Sequence, residues 1–373
     1  MPNIFDYLHW RADVPFSASP FNEADDLILA ELVYTDFAGV VPDDGSAVSL
    51  REARDRFFAL HSPAEIEARS AYSYTARAPL LMDAMLNGAR FAETRLWAYE
   101  AVTDKDAAAQ FAAVTFLLPD GTACAAFRGT DGTVVGWKED LILSYRSDTP
   151  GQLRAVDYLT RLAVLTDRPL RVCGHSKGGN LAVYAASFVP PGVQDRLVTV
   201  RSHDGPGFRE EVRSREGYRR IQPKCVSVVP DTSVIGLLLE SDCARHIVRS
   251  TASGLIQHDG FTWECGPTAF VPAELSRKGV LYEKTVENWV ARQDDATLRS
   301  LVDSLFTVFE ATGAETFHAM TENKRKTAEN WLAAFRALPR EKQKELLTAT
   351  GRIVTSTGAS AKELLDKEML ETP

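Results

Sequence analysis

The residues best suited to chemistry in this chain are Gly174-His175-Ser176-Lys177-Gly178, a G-x-S-x-G pentapeptide. A serine in such a turn is a candidate nucleophile when the turn joins a strand directly to a helix. The hydroxyl then projects above the sheet, beside the free N–H groups and positive dipole of the helix N-terminus. The pentapeptide alone is a weak signal in a chain with 23 glycines. Its context strengthens it: "LRVCG" reads as a short buried strand and "GGNLAVYAASFV" as the helix that follows. The competing reading is a structural or phosphate-binding glycine turn, and the Walker spacing G-x-x-x-x-G-K-[ST] is missing around it.

A serine hydroxyl needs a base to take its proton, and the base needs a carboxylate to orient it. On strand–turn–helix nucleophiles the chain order is serine, acid, histidine. Four histidines follow Ser176: His203, His246, His258 and His318. His203 ends a strand too early for an acid to precede it, His246 opens a strand-like run, and His318 sits in a helical tail. His258, in the glycine-bounded "SGLIQHDGFTWE", is the expected base. Asp231, directly after the apolar run "CVSVVP", is the expected acid. Asp204, in "SHDGPGF" at the end of an earlier strand, is the alternative acid; Asp242 and Asp259 are weaker candidates.

The tetrahedral oxyanion of acyl transfer also needs donors. One is the backbone N–H of Lys177, the residue after the nucleophile. Thr130 in "AAFRGTDG", where a strand runs into a glycine turn, offers an N–H and a hydroxyl. The Lys177 ammonium is expected to lie in solvent. This chemistry requires neither a metal nor an organic cofactor.

These residues must be held by an alternation of strands and helices. "RLWAYEAV", then "FAAVTFLL" and "TACAAFR" joined through Pro119-Asp120-Gly121, read as strands, the last two as a hairpin. "RLVTVRS", "CVSVV" and "RHIVRST" follow, with helices between. The pattern predicts an α/β fold with a mostly parallel sheet. Residues 1–90 read as an N-terminal helical segment, with Asn22 and Ser49 as N-caps. Residues 91–275 form the α/β core, and 276–373 a helical C-terminal region. In that region "KTVENWV" (284–290) recurs as "KTAENWL" (326–332), and "ATGA" (311–314) is echoed by "STGA" (356–359).

Composition excludes other functions. The net charge is −9 without a basic run, which speaks against nucleic acid and anionic membrane surfaces. No apolar run is long enough to span a membrane, and the N-terminus lacks a signal-peptide pattern. The five cysteines lack a C-x-x-C pair and read as buried free thiols, implying a cytoplasmic protein.

Taken together, "AFRGTD", "GWKEDL" and "GHSKGGN" resemble the class 3 (fungal-type) lipases. From "NIFDYLHWR" through "FNEADDLILAELVY", "FRGTDGTVVGWKEDL", "DGPGF" and "GLIQHDGFTW", about residues 1–310, the chain looks like a bacterial lipase-like branch of that superfamily, a domain of unknown function. The resemblance implies an α/β-hydrolase fold and a Ser-Asp-His triad. It maps the nucleophile onto Ser176, the oxyanion threonine onto Thr130 and the base onto His258. Class 3 lipases place the acid where Asp231 falls. The closer branch often has glutamine there, which keeps Asp204 open. The residues read as those of a serine hydrolase acting on a carboxylic ester such as an acyl lipid. The alternative is a catalytically weak or inactive hydrolase-fold protein that binds a protein partner through its C-terminal helices.

Overall fold

The computed structural model describes residues 2–70, 73–104, 109–130, 134–290, 293–310 and 324–348. Before the main sheet come α1 (Ile4–Arg11), α2 (Glu23–Leu32), the two-residue strand β1 (Val48–Ser49), α3 (Leu50–Leu60), α4 (Pro63–Ser70) and α5 (Leu81–Met85). Each start has a local cause. Asn22 accepts from the Ala24 N–H while Asp25 reaches back to the Asn22 N–H, a reciprocal cap on α2. Ser49 Oγ accepts from Glu52 N and opens α3.

The next elements are β2 (Arg95–Asp104), β3 (Ala109–Leu117), β4 (Ala123–Phe127), α6 (Val134–Ile142) and α7 (Pro150–Leu165). After them come β5 (Leu170–His175), α8 (Lys177–Phe188), α9 (Pro191–Arg196) and β6 (Leu197–His203). The core closes with α10 (Glu210–Arg213), α11 (Glu216–Ile221), β7 (Cys225–Pro230) and β8 (Ala244–Val248). The Pro190-Pro191 pair does end α8, and Pro191 then occupies the first turn of α9, where its missing N–H costs nothing.

Among the described residues, the eight strands form one sheet in sequential order. β1 to β4 pair antiparallel, and β4 through β8 pair parallel. The β3–β4 hairpin turns at Gly121, whose φ of 85° suits glycine. β4 alternates: Cys124 and Ala126 pack on the N-terminal helices, whereas Ala123, Ala125 and Phe127 pack with α7 and α8. Both faces are covered by helices, so the strands read as continuous apolar runs. The result is an α/β-hydrolase-like sheet, mostly parallel, between two helical layers.

The C-terminal helices include α12 (Arg277–Val290), α13 (Asp295–Glu310) and α14 (Lys324–Ala337), and residues 340–348 are helical as well. Val302 and Phe306 of α13 pack on Ile142 of α6, and Lys138 pairs with Glu310 at 3.2 Å. Both copies of the K-T-x-E-N-W repeat fall on helices, α12 and α14. The "ATGA" and "STGA" echoes lie outside the described residues. Among the described residues, no helix is long and apolar enough to cross a membrane.

The expectation of five free thiols is corrected. Cys225, which opens β7, and Cys243, just ahead of β8, form a disulfide with Cα atoms 5.1 Å apart. Parallel pairing of β7 with β8 brings them together across a loop of 18 residues. Cys124, Cys173 and Cys265 are free and buried.

Candidate active site

Ser176 sits between β5 and α8 with φ 58° and ψ −132°. A non-glycine residue at positive φ stores backbone strain, which the surroundings must hold in place. They do so by close approach. A Cβ on Gly174 would meet the Gly178 carbonyl carbon at 2.2 Å, and one on Gly178 would meet the Phe127 carbonyl oxygen at 2.0 Å. Ser176 N–H donates to the His203 carbonyl at 2.9 Å, and the Ser176 carbonyl accepts from Gly179 N–H at 2.9 Å. The Ser176 side chain makes no capping bond to the helix it opens, so its hydroxyl is not committed to the backbone.

His258 ends a short 3-10 turn, Gly254–His258. Its Nδ1 lies 2.7 Å from Oδ2 of Asp204, and the Asp204 carboxylate is fully buried. Asp204 follows β6 in the left-handed region, at φ 50°, with its N–H on the Val228 carbonyl. Its other oxygen, Oδ1, accepts from the Ser233 hydroxyl and from Gly236 N–H at 3.1 Å. A Cβ on Gly236 would lie 2.3 Å from that oxygen, so glycine is what lets the amide approach.

Asp231, the expected acid, meets other partners, and it is the alternative, Asp204, that contacts His258. Its Oδ1 accepts from Gln257 Nε2 at 2.6 Å and from Thr232 Oγ1 at 3.3 Å. The reason is topological. Asp231 follows β7 beside β8, with its N–H on the Val248 carbonyl, whereas Asp204 follows β6, next to β5, the strand that leads into Ser176. Of the other histidines, His203 is buried with neither ring nitrogen hydrogen-bonded, and burial lowers its pKa to about 3. His246 is exposed and pairs with Glu23. His318 lies outside the described residues. Asp242 pairs with Arg213 at 2.9 Å, and the buried Asp259 caps its own turn at Phe261 N–H.

The turn after β4 passes over the elbow, since a Cβ on Gly129 would lie 3.0 Å from Ser176 Cβ. It delivers Thr130, whose hydroxyl donates to Asp140 Oδ2 at 2.6 Å. Burial raises the Asp140 pKa to about 6, opposed by the Lys177 charge and by the Thr130 bond.

Lys177 departs from expectation. Its side chain is buried, and its ammonium reaches Glu139 Oε2 at 2.9 Å, the Gln110 carbonyl at 2.8 Å and Gln110 Oε1 at 3.1 Å. Glu139 also accepts from Gln110 N–H and from Gly151 N–H in the first turn of α7. One buried ion pair therefore ties β3, α6, α7 and α8 together beneath the elbow. The side chain is structural, while the Lys177 backbone N–H lies at the start of α8, directly after Ser176. Glu139 could not be picked from sequence, because its partner is 38 residues away.

The mostly parallel sheet, with Ser176 in the turn between β5 and α8, is that of an α/β-hydrolase-like protein. Residues 85–307 match the model of the Mbeg1-like family, and the chain belongs to that family. No curated protein matches the chain. Two solved structures show a distant likeness. The first is described as the crystal structure of M37 lipase: 12% identity, TM-score 0.35, covering 57% of this chain and 68% of that one. The second is a fungal lipase–inhibitor complex described as a model for interfacial activation in lipases: 15% identity, TM-score 0.35, covering 52% of this chain and 82% of that one.

Proposed function

We propose that the protein is a serine hydrolase that cleaves a carboxylic ester, lipase- or esterase-like, through an acyl-enzyme on Ser176. The observation that carries this reading is the 2.7 Å contact of His258 Nδ1 with buried Asp204, which directly follows the strand beside the one leading into the elbow. A carboxylate only accepts, so His258 carries its proton on Nδ1 and leaves Nε2 as the basic nitrogen.

In this mechanism Nε2 takes the Ser176 proton as Oγ bonds to the ester carbonyl carbon. Asp204 stabilises the resulting imidazolium without itself taking a proton. The oxyanion is held by the backbone N–H groups of Lys177 and Thr130. While Asp140 is ionised, the Thr130 hydroxyl proton is committed to it. That bond fixes the threonine side chain and leaves the amide as donor. His258 then returns its proton to the leaving alkoxide, freeing the alcohol. Water, deprotonated in turn by His258, attacks the acyl-enzyme, releases the acid and restores Ser176.

The His258–Asp204 contact favours this over an inactive hydrolase-fold binding protein, in which no acid need meet the histidine. The test is turnover of p-nitrophenyl esters of graded chain length by the wild type and by Ser176→Ala. The expected result is turnover that Ser176→Ala abolishes. Equal rates in the two would reject Ser176 as the nucleophile.

A further inference from the structure

His175 stands immediately before the nucleophile, is fully buried, and has no part in the chemistry above. Its Nε2 lies 2.7 Å from the backbone carbonyl oxygen of His258. A carbonyl can only accept, so Nε2 carries the proton. Burial, followed by the nearby charge of His258, holds the His175 pKa well below its ordinary value, so the ring is neutral and Nδ1 is bare. Tyr34 hydroxyl, 3.1 Å from Nδ1, is therefore the donor on that side.

Glu31 Oε1 lies 3.6 Å from the same nitrogen. Burial and then the Asp259 charge push the Glu31 carboxyl well above the usual range. The His175 ring is therefore not the cationic half of an ion pair with Glu31. The His175 and His258 rings lie 4.6 Å apart at a 34° tilt.

The peptide next to the histidine is pinned as well. The Gln257 side chain bonds Asp231 and accepts from Thr232 N–H at 2.9 Å, while Trp263 Nε1 donates to the Gln257 carbonyl at 2.8 Å. The His258 carbonyl itself is held by His175.

We infer that His175 is a positioning residue for His258: its Nε2–H fixes the backbone from which the base projects, and Tyr34, just beyond α2, fixes the His175 ring. Residues 1–84 lie outside the family match, so the N-terminal segment sets the base's position from outside it. The consequence for rate rests on the hydrolase reading, whereas the geometry does not. A backbone shift of about 1 Å at a catalytic group costs on the order of 10²-fold in rate.

The experiment compares full-length wild type with His175→Phe, which keeps a ring but loses the donor, and His175→Gln, which keeps an N–H. Two readouts are taken: kcat and KM on a p-nitrophenyl ester, and the deshielded Nδ1 proton resonance of His258 in protein labelled with ¹⁵N-histidine. His175→Phe should lower kcat about 10²-fold at similar KM and should shift or broaden the resonance. His175→Gln should restore both. Should His175→Phe fail to fold, Tyr34→Phe should act in the same direction, lowering kcat about fivefold. Unchanged kcat and an unchanged His258 resonance in the folded variants would overturn the inference. A wild type without turnover would sink the hydrolase reading alone, and the resonance would still decide the role of His175.

Discussion

Asp204 Oδ2 sits 2.7 Å from His258 Nδ1, and its other oxygen is held by Ser233 and the Gly236 amide. Asp231 instead secures Gln257, the residue before His258. The two aspartates thus have different expected phenotypes. Asp204→Asn should reduce kcat by roughly 10⁴-fold with the fold intact, because the amide can impose the wrong imidazole tautomer. Asp231→Asn should cost far less, since a side-chain acceptor remains for Gln257. Steady-state kinetics on an ester, with circular dichroism as the folding control, separates the two. A larger loss in Asp231→Asn would reverse the assignment.

The buried Lys177–Glu139 pair makes a stability prediction. Lys177→Met leaves Glu139 buried without its ammonium, which should destabilise the protein by about 3–5 kcal/mol. The double variant Lys177→Met/Glu139→Gln removes the stranded charge and should recover part of that loss. Denaturant melts of the two single variants and the double give the coupling directly.

What was legible in the sequence was local. The elbow could be read because Gly174, Ser176 and Gly178 fall within one strand–turn–helix, and the β3–β4 hairpin because Asp120-Gly121 marks its turn. The N-caps at Asn22 and Ser49 followed from residue type alone. What could not be read depended on which strands become neighbours. Asp204 and Asp231 both follow apolar strands, and only the folded arrangement sets Asp204, after the strand beside β5, against His258. Lys177 reads from sequence as a solvent-exposed lysine because its acid, Glu139, is distant along the chain. The Cys225–Cys243 bridge was hidden for the same reason. The contact of His175 with the His258 carbonyl involves a backbone atom, which has no signature in residue type.

Glycine at the elbow is sterically required. A Cβ at Gly178 would lie 2.0 Å from the Phe127 carbonyl oxygen, a backbone atom that cannot swing aside. Gly178→Ala should therefore cost about 1–3 kcal/mol and displace Ser176 as well. Gly192→Ala, where nothing lies within 4 Å of the added carbon, should be close to neutral. Thermal melts of the two variants test the contrast.

The buried His203 makes stability depend on pH. Its folded pKa is lowered to about 3 by burial, against about 6.5 for an exposed histidine. Between these values the unfolded chain binds the extra proton, so this contribution is complete above about pH 6.5 and is lost as pH falls. The loss approaches 1.4 kcal/mol per pH unit well below 6.5. His203→Phe keeps a ring against Trp263 and Phe270 and should flatten this part of the acid limb. Unfolding free energies from pH 7 to pH 4 provide the check. Equal slopes in wild type and variant would rule His203 out as the source.

The central claim is that Ser176 is a nucleophile activated by His258. Its most direct test is covalent labelling of the full-length protein with a fluorophosphonate, with the adduct located by peptide mass spectrometry. The account predicts one adduct, on Ser176, formed at a rate that falls by orders of magnitude in His258→Ala and disappears in Ser176→Ala. A folded wild type that takes up no label, or that is labelled only away from Ser176, would contradict it.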